Sequence, residues 1–128
     1  MTERAIPPEV QRFIAEYIGS AEELEVLMLL FHAPDRGWDA QSVSQSIYTV
    51  PAAATMRLES LVAVGLLASS GGSNPTYRYA PANPQMDQLV AGLATAYKEQ
   101  RVAVIKLVFA RPVDPVRSFA DAFKFKKD

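Results

Sequence analysis

Between Val43 and Ala80 the apolar spacing switches from helical to alternating, and the order of the pieces leaves this chain few folds to choose from. Val43 and Ile47 share one helical face at i, i+4. Thr49-Val50-Pro51 then turns the chain, and Ala54, Leu58, Leu61 and Gly65 recur at spacings of 4, 3 and 4 as a single inward stripe. Gly65 suits the left-handed position after a helix, and Leu66-Leu67 opens a strand. That strand returns as Thr76-Tyr77-Arg78-Tyr79-Ala80 after the tip Ser70-Gly71-Gly72-Ser73-Asn74-Pro75, which predicts a β-hairpin.

Two further helices precede this unit. Pro7-Pro8 followed by Val10, Phe13, Ile14, Tyr17 and Ile18 predicts an amphipathic helix opened by proline in its first turn and ended at Gly19. Ser20 with Glu23 has capping-box spacing, and Glu22, Glu23 and Glu25 suit the positive end of a helix dipole, which accounts for them as solvated first-turn acids. The run from Leu24 to Phe31 is apolar nearly all round, so this second helix should be the buried central one, stopping at Pro34. Trp38 should plug the core where a short strand would lie, and Asp39 should cap the helix that follows. The 128 residues, 49% of them apolar, can fill a single core.

After the hairpin the pattern becomes that of one long helix from Pro84 to about Ala110. Met86, Val90, Leu93, Tyr97, Gln100, Val104 and Leu107 alternate at 4 and 3, the spacing of a helix–helix seam. Such a helix is roughly 40 Å long, more than a small domain covers, so the seam points to a homodimer with Gln100 fixing register. Arg111-Pro112 breaks it, and Asp114-Pro115 starts a short tail whose apolar face is Val116, Phe119, Ala120, Phe123 and Phe125. Arg117, Lys124, Lys126 and Lys127 make the other side of the tail basic, and docking on the body or a dimer mate is the expected fate of the phenylalanines.

Catalytic chemistry finds little to work with. Cysteine is absent, so thiolate metal sites, disulfides and thiol nucleophiles are excluded. The single histidine, His32, falls at the end of the buried helix without a second ligand at metal spacing, and reads as a packed or capping residue. Ser69-Ser70-Gly71-Gly72-Ser73 lacks the Gly-Lys-Ser/Thr ending of a phosphate loop and precedes a strand. These absences predict a non-enzyme without metal or cofactor. The longest apolar run, Val26 to Phe31, is far short of the roughly 20 residues that span a bilayer, and Met1 to Pro8 has no continuous apolar core, so a soluble cytoplasmic protein is expected. The net charge of −1 conceals a gradient, −5 over residues 1–35, +1 over 36–81 and +3 over 82–128.

The stretch from Trp38-Asp39-Ala40-Gln41-Ser42-Val43 through Arg57-Leu58-Glu59-Ser60-Leu61-Val62-Ala63-Val64-Gly65-Leu66-Leu67, with the hairpin, resembles the winged helix-turn-helix domains of bacterial transcriptional regulators of the MarR, PadR and ArsR kind. The resemblance implies a mainly α fold with a two-stranded β-hairpin wing and a long C-terminal helix. With the seam and the break at Arg111-Pro112, the chain divides into a winged-helix domain over 1–81, a long helix for dimerisation over 82–111 and a tail over 112–128. The resemblance also implies double-stranded DNA as partner, read by the third helix and the wing. Residue by residue, the reading face maps onto Ala52, Ala53, Met56, Arg57 and Ser60, and the wing onto Ser73, Asn74, Thr76 and Arg78. The chain departs from those families in lacking the usual Lys, Asn, Gln and additional Arg there. An apolar face of this kind also suits a protein-interaction module that holds an unknown protein instead of DNA.

Overall fold

The computed structural model describes residues 6–109. Six helices and one hairpin follow in the order α1 (Pro8–Tyr17), α2 (Ala21–Phe31), α3 (Ala40–Ile47), α4 (Pro51–Ala63), β1 (Leu67–Ser69), β2 (Tyr77–Tyr79), α5 (Pro84–Glu99) and α6 (Arg101–Phe109). The arrangement is a winged helix-turn-helix, with α3 and α4 as its two helices and β1–β2 as the wing. Local chemistry explains the starts. Pro8 opens α1, the Ser20 hydroxyl oxygen accepts from the Glu23 N–H, and Asp39 and Ser42 form a reciprocal capping box at α3. The Ser42 N–H first, and the Ser42 hydroxyl second, hold the Asp39 carboxyl below its ordinary value.

The core is continuous from α1 to α6. Phe13, Ile14 and Ile18 share one buried cluster with Leu24, Leu27 and Leu30 of α2 and with Val43, Ala54, Leu58 and Leu61 of the helix-turn-helix. The wing pairs Leu67 with Tyr79 and Ser69 with Tyr77 in antiparallel register. Trp38 exchanges both backbone hydrogen bonds with Tyr77, at 2.8 and 2.7 Å, taking the short-strand position expected from sequence. Gly65 turns the chain out of α4 at φ +88°, a region costly for any residue with a Cβ.

The C-terminal region differs from the single long helix the seam predicts. Gln100 leaves helical geometry at φ −138°, ψ 57°, ending α5 while its carbonyl accepts the Val104 N–H that starts α6. The reason is hydrophobic: Val102 to Phe109 is apolar nearly all round, and the break lets α6 pack against both α1 and α2. Val90, Leu93 and Val104 are completely buried in the protomer's own core, and Gln100 stands at the bend between α5 and α6. Met86, Tyr97 and Leu107 remain half-buried against that core. Gly92 permits the close crossing of α5 over α1, because a Cβ there would sit 3.1 Å from Val10 Cγ2. The tail residues Val116, Phe119, Phe123 and Phe125 lie outside the described residues.

Candidate nucleic-acid interface

The buried line of α4, Ala54, Leu58 and Leu61, leaves the opposite side of the helix facing outward. Ala52, Met56 and Ser60 are exposed there, while Ala53 and Arg57 are half-buried. Beside them the wing exposes Ser73, Asn74, Thr76 and Arg78. Helix and wing are joined directly, since the Tyr77 hydroxyl donates to Glu59 Oε2 from beneath the hairpin. The structure therefore assembles the nine residues named from sequence onto two adjoining elements.

It also gives two of them partners that the sequence did not reveal. Arg57 Nε donates to Glu22 Oε1 at 2.9 Å, and the Ser60 hydroxyl donates to Glu23 Oε2 at 3.0 Å. Glu23 is buried, and its other oxygen accepts the Gly19 N–H at 3.0 Å. The acids at the head of α2 are thus not a solvated cluster: Glu22 and Glu23 clamp α4 onto α2. The Arg57 hydrogen bond, aided by the Thr49 side chain, holds the Glu22 carboxyl below its ordinary range. Glu59 is engaged with Tyr77, so both charged side chains of α4 and its Ser60 hydroxyl are turned toward the protein's own elements.

Between α3 and α4 the structure exposes apolar groups that sequence reasoning passed over. Tyr48 caps α3 in the left-handed region at φ 60° and is 95% exposed, and Val50, the residue before Pro51, is 60% exposed. A tyrosine with positive φ carries no sequence signal comparable to glycine. The only available hint was position: Tyr48 follows the inward Ile47 and precedes a turn.

The glycine-rich hairpin tip is a turn closed by its own serines. Ser69 Oγ accepts the Gly71 N–H at 3.1 Å, and Ser70 Oγ accepts the Thr76 N–H at 3.0 Å. At the base of the wing the Arg36 guanidinium lies 3.6 Å from the centre of the Trp38 ring. The Arg78 side chain reaches over the neighbouring Gly37. His32 is the C-cap of α2 and packs edge-on against Phe31, as a capping residue should. Among the described residues no group of three or more His, Cys, Asp or Glu could hold a metal ion, and no helix is long and apolar enough to cross a membrane.

Charge on this surface is distributed unevenly along the sequence. From residue 40 to residue 86 the chain has one acid, Glu59, and two bases, Arg57 and Arg78. Apart from the α3 cap Asp39, the helix-turn-helix and wing thus contribute a single acid, in contrast to the seven in the first 35 residues.

No family model and no curated protein matches this sequence. Among solved structures, the chain is similar to the homodimeric winged helix-turn-helix DNA-binding domain of a Mycobacterium bovis protein, a possible ArsR-family transcriptional regulator, studied as its fragment 1–100 in solution. The likeness has a TM-score of 0.52 at 17% identity, covering 78% of this chain and 93% of the other. At that identity the likeness establishes the architecture: this chain is a winged helix-turn-helix protein.

Proposed function

We propose that the chain is a homodimeric DNA-binding protein of the transcription-regulator type, with α4 entering the major groove and the wing lying beside the phosphate backbone. The observation that carries this reading is the joint exposure of the outer side of α4 and the hairpin tip, in a stretch, residues 40–86, that contains one acid. The neighbour's DNA-binding, homodimeric character supports it. Because few cations are present and Arg57 is held by Glu22, binding should depend weakly on salt, with a slope of only a few units in log affinity against log salt. Anisotropy titrations with random-sequence duplex at low and moderate salt test this. Arg78→Ala should weaken binding uniformly across sequences, and Glu22→Gln, which frees Arg57 for phosphate, should strengthen it and steepen the slope by about one unit. A wild-type slope like that of a protein making six to ten phosphate contacts would show that another basic surface carries the binding.

The dimer surface proposed here is the outer side of α5 with α1. A groove of about 570 Å³ runs between them, lined by Pro7, Arg12, Tyr17, Met86 and Leu89 among others. Leu93 is completely buried, so altering it would test folding and not association. Met86→Glu with Leu89→Glu should give folded monomers in sedimentation velocity. A folded, fully dimeric double variant would assign the dimer to a different surface. A second reading, a protein-docking module that does not bind DNA, draws on the exposure of Tyr48, Val50 and Met56. It takes precedence if no duplex binds at low salt.

A further inference from the structure

The outermost line of α4 is Ala52, Met56 and Ala63, all exposed and lying opposite the buried Ala54, Leu58 and Leu61. Arg57 and Ser60 lean toward α2 on one flank, and Glu59 leans toward Tyr77 on the other. Ahead of the helix stand Tyr48 and Val50, which with Met56 at 65% exposure are three of the most exposed large apolar side chains in the described chain. A helix built this way offers methyl and thioether groups along its outermost line, with Arg57, Glu59 and Ser60 engaged by the protein itself and Thr55 an exposed hydroxyl on the flank.

We infer that α4, in the DNA-binding role proposed above on which this rests, selects thymine through its 5-methyl group by way of Val50, Ala52 and Met56. The thymine methyl is the apolar feature of the major-groove edge, and apolar side chains are its natural contacts, whereas the other base edges call for donors and acceptors. Ala52 to Met56 is one helical turn, about 6 Å, close to two base-pair steps of about 3.4 Å. Val50, the N-cap residue of α4, adds an exposed apolar group at the start of the helix. DNA fits this face better than an apolar protein surface does. The wing, joined to α4 by the Tyr77–Glu59 hydrogen bond, exposes Arg78, Ser73 and Thr76, residues suited to phosphate. The one acid of α4, Glu59, is bonded to the Tyr77 hydroxyl.

The test compares a duplex of alternating dA and dT with its counterpart carrying deoxyuridine in place of thymidine. The two have the same phosphates and the same minor-groove acceptors and differ only in the methyl groups. The expected result is tighter binding of the thymidine duplex, by about fourfold for each methyl contacted. Met56→Gln, at a site exposed enough to leave the melting temperature unchanged, should narrow that gap. Equal affinity for the two duplexes would overturn the methyl reading and leave the DNA-binding role standing. Loss of affinity in Met56→Gln by the same factor on both duplexes would overturn the assignment of Met56. Binding to neither duplex at low salt would overturn the DNA-binding role itself, and Met56-dependent self-association under those conditions would assign the face to a second copy of the chain.

Discussion

Replacing Tyr77 by alanine should destabilise the protein by about 3–5 kcal/mol, the range for removing a large aromatic from a packed site. Tyr77 is 1% exposed and is the point where three parts meet. Its backbone pairs with Trp38, its strand pairs with β1, and its hydroxyl reaches Glu59 on α4. A loss of that size is a large share of the roughly 5–15 kcal/mol that holds a domain folded, so the variant should populate states in which the wing is detached from α4. Tyr77→Phe keeps the ring and should cost only about 1 kcal/mol, because exposed Glu59 regains water.

The same residue gives a pH signature. Burial first, and the Glu59 carboxylate second, raise the Tyr77 phenol from its ordinary 10.0 to about 12. A group whose folded value is raised contributes stability that is complete below its unfolded value and is lost as pH climbs through the folded one. Stability should therefore decline between pH 10.0 and about 12, and Tyr77→Phe should soften that decline. Tyr79, raised by burial and by Asp87, adds to the same alkaline loss and leaves part of it in the variant. Urea unfolding at neutral and alkaline pH checks both statements. An alanine variant within about 1 kcal/mol of wild type would show that Trp38 and β1 hold the wing without Tyr77.

What the sequence made legible was whatever periodicity and capping encode. Pro8, Ser20, Asp39 and Gly65 each perform the local task their residue type suggests, and Ala54, Leu58 and Leu61 of the expected α4 stripe are buried, with Gly65 half-buried just past the helix end. Trp38 meets Tyr77 where a strand was expected. What stayed hidden were choices made by tertiary packing. Spacing alone cannot tell a seam facing a second copy from one folded back on its own domain, and Val90, Leu93 and Val104 took the second course once α6 bent at Gln100. Likewise, acids in a first turn satisfy the helix dipole whether or not they face a partner. Glu22 and Glu23 meet Arg57 and Ser60 across 35 and 37 residues of sequence, a distance no local pattern reports.

These contacts bear on how α4, in the role proposed for it, would work without many cations. Held by α2 on one side and by the wing on the other, α4 is fixed before any ligand arrives, so little ordering is required on binding. An ion pair with both side chains partly exposed contributes little to stability in itself, and its consequence lies in where it directs Arg57.

The outer line of α4 is therefore the place to interrogate. Ala52→Glu with Met56→Glu sets two carboxylates on exposed positions, away from the core and from the clamps to α2 and the wing. Thermal melting should be nearly unchanged. Against duplex DNA those carboxylates would face phosphates and base-edge acceptors, and affinity should fall by well over tenfold, since each added like charge at such a surface costs about 1 kcal/mol or more. The decisive measurement is an anisotropy titration of random-sequence duplex with wild type and this double variant at low salt. Binding by the wild type and its loss in an equally stable variant is the predicted result, and binding that survives both substitutions would contradict the placement of α4 in the groove.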